Sequence, residues 1–401
     1  MEYRNTDGKP LSVLGVGCYA LSGAYGPKDP EAFGAMLRRA HELGVTYFDT
    51  ADVYGSAEEV LGRAMEPFRE KIWIATKAGA GEDGRPLTSA EHIRRSCEGS
   101  LRRLRTDAID LYQIHYDDPS TPVDETLGAL EALQQEGKIL RYGVGHLPLE
   151  KVRAYFEKGR PFSELIELSP VSRRARQDLL PLCVKHGVGV VAFSVTGRGL
   201  LTGKFRPGHE FEENDIRRID PLWQRERLAS GQRVAERLAA LASKYGKTPA
   251  QTAVAWTLAQ PAVICALTGP STIEHLEENL GGAGWTIADA DLRSFDEFLR
   301  SEDERLLQEQ LQAVHSILTQ DLDPATAFRD LVYVLETLVE QAVASEEEIL
   351  PLFQRLFGLR GHRFEEAGTR LREIQAEAQT AFAPRITERF EIRRRRVQQG
   401  D

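Results

Sequence analysis

No stretch of this chain approaches the ~18 consecutive apolar residues that a membrane-spanning helix needs. The opening run MEYRNTDGKPLS also lacks the apolar segment of a secretory leader. Neither a membrane span nor export is therefore expected. Cysteine is scarce: Cys18, Cys97, Cys183 and Cys265 lie far apart, with no CxxC pair and no zinc-ligand spacing. That scarcity excludes a disulfide framework and fits a reducing cytoplasm. Positive charge is short as well. The net charge of -10 argues against nucleic acid or an anionic membrane as a partner. What is present is an ordinary globular balance, 41% hydrophobic and 28% charged, over 401 residues. That balance excludes wholesale disorder.

Short apolar runs rich in β-formers alternate with amphipathic stretches up to about residue 280. The runs are Val13–Tyr19, Thr46–Ala51, Ile72–Gly79, Ile109–His115, Tyr142–His146, Leu165–Ser169, Val188–Val195 and Val263–Gly269. Few show clean alternation, as expected of parallel strands covered on both faces. Between them lie helical patterns such as PEAFGAMLRRAHELG, with Pro near its start and Gly44 at its end, and SAEHIRRSCEGSLRRL. Eight such units predict a closed α/β (β/α)8 TIM barrel rather than an open sheet. One connection, roughly 197–260, is much longer than the rest and ends in a helix expected at Thr248–Ala259. Long loops after barrel strands usually cover the active face.

Past about residue 285 the strand signal stops and successive helical patterns follow, among them ADADLRSFDEFLRS, EDERLLQEQLQAVHSILTQ and, last, HRFEEAGTRLREIQAEAQTAF ending at Phe382. The sequence therefore divides into a barrel over 1–300 and an all-α extension over 301–401. Phe328, Leu331, Val332, Leu335, Leu338 and Val339 repeat at the spacing of a buried helical face. They predict packing within the extension, against the barrel or against another chain. A stabilising or oligomer-forming bundle and a lid or partner-docking module are both open, the latter using the run Arg393–Arg396.

Two glycine signals fall away. Gly15-Val16-Gly17-Cys18-Tyr19-Ala20 matches a dinucleotide fingerprint, but the following LSGAYGPKDP cannot open a helix at the required point. The stretch Gly197–Phe205 ends like a P-loop without its first glycine spacing or the Ser/Thr after the lysine. Its glycines still allow backbone N–H groups to approach a phosphate.

A stronger constellation lies at three neighbouring strand ends: Asp49, with Tyr54 five residues on, then Lys77 and His115. Strand C-termini converge on one face of a barrel, so these four are expected in one cluster. Together they make a proton-transfer kit. A lysine cation beside Tyr54 should lower its phenol pKa from about 10, and Asp49 would hold that lysine in place. Tyr54 could then donate a proton to a carbonyl oxygen that His115 orients. HYDD at 115–118 lacks spaced partners, so no metal is expected.

These segments resemble the aldo-keto reductase family. FDTADVYGSAEEVLG is the most specific stretch, and IATKAG, DLYQIH, GKILRYGVG, AFSVTGRGLLTGKF and LEENL follow in family order over about three-quarters of the chain. The resemblance implies a (β/α)8 oxidoreductase using NADP or NAD to reduce an aldehyde or ketone, with a small carbonyl substrate. It makes Asp49, Tyr54, Lys77 and His115 the catalytic tetrad. On the cofactor side it implicates Asp49, His146, Phe193, Ser194, Gly197, Gly199, Leu200, Lys204, Gly269, Ser271, His275 and Asn279. Here the chain departs from the family pattern. Gly145 and His146 stand where members carry the Ser and Asn that bind the nicotinamide carboxamide. Leu165 replaces a Gln, and Phe193 a Tyr. The basic residue that usually meets a 2′-phosphate is missing, leaving His275, which predicts only modest discrimination between NADPH and NADH. A homo-oligomer or a protein partner through residues 301–401 is also possible. The competing expectation is a non-enzymatic or regulatory barrel that binds nucleotide weakly and a partner through its helices.

Overall fold

In the computed structural model, the described residues are 1–6, 8–81, 84–205, 208–360 and 362–399, with side chains described as far as Glu391. The Arg393–Arg396 side chains lie outside the described residues. The chain forms two compact units, Met1–Asp296 and Glu297–Asp401.

The first unit opens on a short antiparallel pair, β1 (Tyr3–Arg4) and β2 (Leu11–Ser12). Eight parallel strands then close into a barrel: β3 (Leu14–Gly17), β4 (Tyr47–Asp49), β5 (Trp73–Ala78), β6 (Leu111–Ile114), β7 (Tyr142–Gly145), β8 (Ser163–Glu167), β9 (Gly189–Phe193) and β10 (Val263–Thr268). The (β/α)8 barrel is thus present. Its interior is packed by Tyr47, Trp73, Leu111, Leu165, Val191 and Cys265, with Leu11 of β2 joining the same cluster. The indole of Trp73 donates to Lys9 O at 3.0 Å, and Lys9 Nζ bonds Asp110 at 2.8 Å, so the N-terminal pair is tied to the barrel wall.

Local signals explain the connecting helices. Asp29 accepts from Glu31 N at the start of Pro30–Glu42. Thr248 and Gln251 form a reciprocal capping box that starts Pro249–Leu258, close to the expected bounds. Strand β8 begins two residues earlier than the apolar run suggested, because Ser163 and Glu164 are buried in it.

The second unit has its own core. Leu331, Leu335 and Leu338 are fully buried with Leu318, Leu356 and Ile374, and Phe328, Val332 and Val339 pack against that cluster. The apolar stripe of the sequence is therefore covered within the unit. Two expected helices merge into one, Asp289–Thr319, a segment with neither Gly nor Pro. The last helix, Phe364–Gln399, runs through Pro384 instead of stopping near Phe382. A proline removes one helical hydrogen bond, but burial of Ile386 beyond it favours continuation. All four cysteines are free and buried. Among the described residues no helix is long and apolar enough to cross a membrane, and no cluster of three or more ligand-type side chains could hold a metal ion.

Candidate active site

Backbone pairing at the C-terminal ends of the strands assembles the site. Thr50 N donates to Ala75 O at 2.9 Å, Asp52 N to Lys77 O at 3.3 Å, and His115 N to Ala78 O at 2.8 Å. These bonds lock the ends of β4, β5 and β6 in register. Buried Glu58 steadies the loop that carries Tyr54: it accepts from Thr76 Oγ1 and from Arg103 Nε, each at 2.6 Å.

Asp49, Tyr54, Lys77 and His115 line one cavity of about 520 Å³. Lys77 is 1% exposed; its ammonium bonds Asp49 Oδ1 and donates to Thr50 O at 2.7 Å. The same Nζ lies 5.2 Å from the centre of the Tyr54 ring. Tyr54 meets His115 edge-on, with ring centroids 5.8 Å apart. The four residues that the sequence set apart are thus brought together.

One electrostatic expectation is corrected. The Tyr54 phenol is held well above its ordinary value, not below it; burial contributes most, followed by the charge of Asp49. Asp49 is bonded to Lys77, so the lysine does not act on the phenol as an uncompensated cation. Burial also raises the Asp49 carboxyl against the opposing pull of Lys77. His115 is pushed down to about 2, first by burial and then by Lys77 and His146, so its imidazole is neutral at any ordinary pH. Asp49 Oδ2 and His115 Nδ1 are buried without a partner among the described residues.

The cavity extends along β7, β9 and β10. His146 adopts a left-handed backbone, φ 57°, and its ring lies 5.4 Å from that of His115 and 4.9 Å from that of Phe193. It is open to the cavity yet walled in on most sides, and that enclosure lowers its imidazole to about 4. Ser194 Oγ is buried and unpartnered among the described residues. Gly199, Lys204, Gly269, Ser271, His275 and Asn279 all line the same cavity, and Leu165 does too. Gly197 and Leu200 do not. The N–H groups of Gly197 and Leu200 are taken up by Ser194 O and Gly197 O, and Leu200 packs with Leu222 and Trp223.

Several lining residues escaped the sequence reading because they lie past the strand ends, in the connecting loops. Tyr19 packs edge-on to Tyr54 at 5.0 Å, and the ring of Tyr116 lies tilted against that of His115, with centroids 4.3 Å apart. Lys28 and Arg217 also face the cavity. Tyr116, beside His115, and Tyr19, at the end of the run Val13–Tyr19, were accessible from position; Lys28 and Arg217 have no local sequence signature.

A closed parallel barrel with this polar cluster at its C-terminal strand ends defines a (β/α)8 enzyme. The aldo/keto reductase family model matches residues 13–300. A relative from Glycine max, "Probable aldo-keto reductase 1", is 37% identical over 300 residues, covering 73% of this chain and 86% of that protein. The structure of a glycerol dehydrogenase from Gluconobacter oxydans superimposes with a TM-score of 0.68 at 32% identity, covering 75% of this chain and 95% of that one. An aldo-keto reductase from Bacillus halodurans, in its holo form, gives 0.63 at 30% identity, with 75% and 96% covered. The chain belongs to the aldo/keto reductase family, and it is an oxidoreductase of carbonyl compounds.

Proposed function

We propose that the chain reduces a small aldehyde or ketone with NADPH or NADH, and that Tyr54 supplies the proton. The observation that carries this reading is the buried Asp49–Lys77 pair with its ammonium 5.2 Å from the Tyr54 ring centre, on the wall of a cavity shared with His115. The residues present fit a dinucleotide. Phe193 offers a ring face, buried Ser194 Oγ lacks a partner among the described residues, and the backbone around Gly269 is open, with nothing within 4 Å of where a Cβ would stand. The cavity volume is in the range of ordinary cofactor sites.

A bound nicotinamide would supply the hydride to the carbonyl carbon. The carbonyl oxygen takes the Tyr54 proton, which leaves a phenolate beside the Lys77 ammonium until solvent reprotonates it. A phenol held above its usual pKa is fully protonated at neutral pH, which suits the reductive direction. Neutral His115 can donate or accept one hydrogen bond at the same oxygen without adding charge. His146, Phe193 and Ser194 would hold the nicotinamide, while Lys204, Ser271, His275 and Asn279 would hold the adenosine end.

The test is oxidation of NADPH and NADH by the full chain with small aldehydes, beside nucleotide binding followed by tryptophan fluorescence. Aldehyde-dependent oxidation is the expected result. Nucleotide binding without turnover on any small carbonyl would instead favour the regulatory-barrel reading.

A further inference from the structure

Charge in the cavity is balanced almost group by group. Lys77 pairs with Asp49, and Arg198 with Glu167 at 3.2 Å and Asp220 at 2.6 Å. Arg217 bonds Asp215 from Nε at 2.9 Å, and Lys204 meets Glu278 at 3.0 Å. Lys28 is the exception: it lines the cavity and, among the described residues, makes no ion pair, although its charge adds a small pull on the Asp215 carboxyl.

The loop carrying Lys28 is fixed on both sides. Ile216 N donates to Ala24 O at 2.8 Å, Tyr25 bridges to Asp215, and Arg217 lies 5.3 Å from the centre of the Tyr25 ring. Immediately after Lys28, Asp29 caps the helix Pro30–Glu42. Only the flexible stem of Lys28 remains to position its ammonium. Ser271 and His275 line the same cavity, with Ser271 Oγ 3.4 Å from His275 Nδ1. Burial, and next the charge of Lys204, hold the His275 imidazole below its ordinary value, while Lys28 adds a smaller push of the same sign. His275 therefore brings hydrogen-bonding capacity but little positive charge at neutral pH. A phosphate monoester carries about -1.5 to -2 charges at that pH and calls for a cation.

We propose that Lys28, from the loop after β3, is the residue that selects a 2′-phosphorylated dinucleotide by pairing with its 2′-phosphate. This rests on the cofactor reading above, which places the adenosine end near Ser271 and His275. Lys204 would contribute less because Glu278 already compensates its charge.

Calorimetric titration of the full chain with adenosine 2′,5′-bisphosphate and with 5′-AMP tests this without turnover. The wild type should bind the bisphosphate at least about tenfold more tightly, a difference of about 1.4 kcal/mol. Lys28→Gln should lose most of that preference while binding 5′-AMP unchanged, and Lys28→Arg should keep it. Equal weakening of both probes in Lys28→Gln would place the lysine on another phosphate and overturn the assignment. Retained preference in Lys28→Gln, or its loss in Lys204→Gln instead, would overturn it as well. If the wild type binds neither probe and neither NADPH nor NADH, the cofactor reading itself fails. If it binds the dinucleotides without preferring the 2′-phosphate, only the role of Lys28 fails.

Discussion

Gly145 and Leu165 are paired neighbours on β7 and β8, and a Cβ on Gly145 would stand 2.7 Å from the Cβ of Leu165. The sequence presented two separate departures from the family pattern, a lost Ser and a lost Gln. In the structure they face each other across one strand pair. Leu165 fills the space that a side chain at 145 would need, and the next residue, His146, turns into the cavity with its left-handed backbone.

That contact makes a stability prediction with an internal control. Gly145→Ala should destabilise by about 1–3 kcal/mol, the usual cost of overpacking. Gly128, inside the helix Val123–Gln135, has nothing within 4 Å of its Cβ position. Gly128→Ala should therefore stabilise by about 0.5–1 kcal/mol. Urea unfolding of the two variants checks the opposite signs. A neutral Gly145→Ala would show that the strands separate easily at this point.

Glu164 is 1% exposed on β8, its Oε2 has no partner among the described residues, and burial raises its carboxyl well above the usual range. A group whose folded pKa is raised contributes its stability below the unfolded value and loses it as pH rises towards the folded one. Glu164→Gln should therefore be close to wild type in Tm at about pH 4 and gain on it at about pH 8. An equal Tm difference at both values would contradict the neutral, buried carboxyl.

The helical unit gives a third test. Leu335 is fully buried in its core. Leu335→Ala should cost about 2–5 kcal/mol by leaving a cavity. The loss should appear as earlier melting of helical circular dichroism, with aldehyde turnover unchanged at temperatures where the unit remains folded. Unchanged melting would mean that the core can close over the gap.

Much of this was legible in the sequence because chemistry and period coincided. The ends of β4, β5 and β6 combine apolar runs with Asp49, Lys77 and His115, so fold and site reinforce one another. The reading slipped where polar residues are buried. Ser163 and Glu164 hid the start of β8, and the polar stretch at 300–304 hid the continuity of Asp289–Thr319, although Glu302 there is only 3% exposed. It also slipped where charge is decided by partners distant in sequence. Lys77 would favour a phenolate at Tyr54 if it stood alone, but burial and then Asp49 reverse the direction. Arg198 could have served a phosphate by position, yet Glu167 and Asp220 already hold it.

Tyr54 carries the central claim, and paired measurements of turnover and binding on Tyr54→Phe test it most directly. The substitution removes one hydroxyl and leaves the ring that packs against Tyr19 and His115. Aldehyde-dependent NADPH oxidation should fall by about 10²–10⁴-fold, the range for a lost general acid. The dissociation constant for NADPH should change by less than about twofold, under 0.5 kcal/mol. Reduction at a near wild-type rate would contradict the assignment of Tyr54 as proton donor.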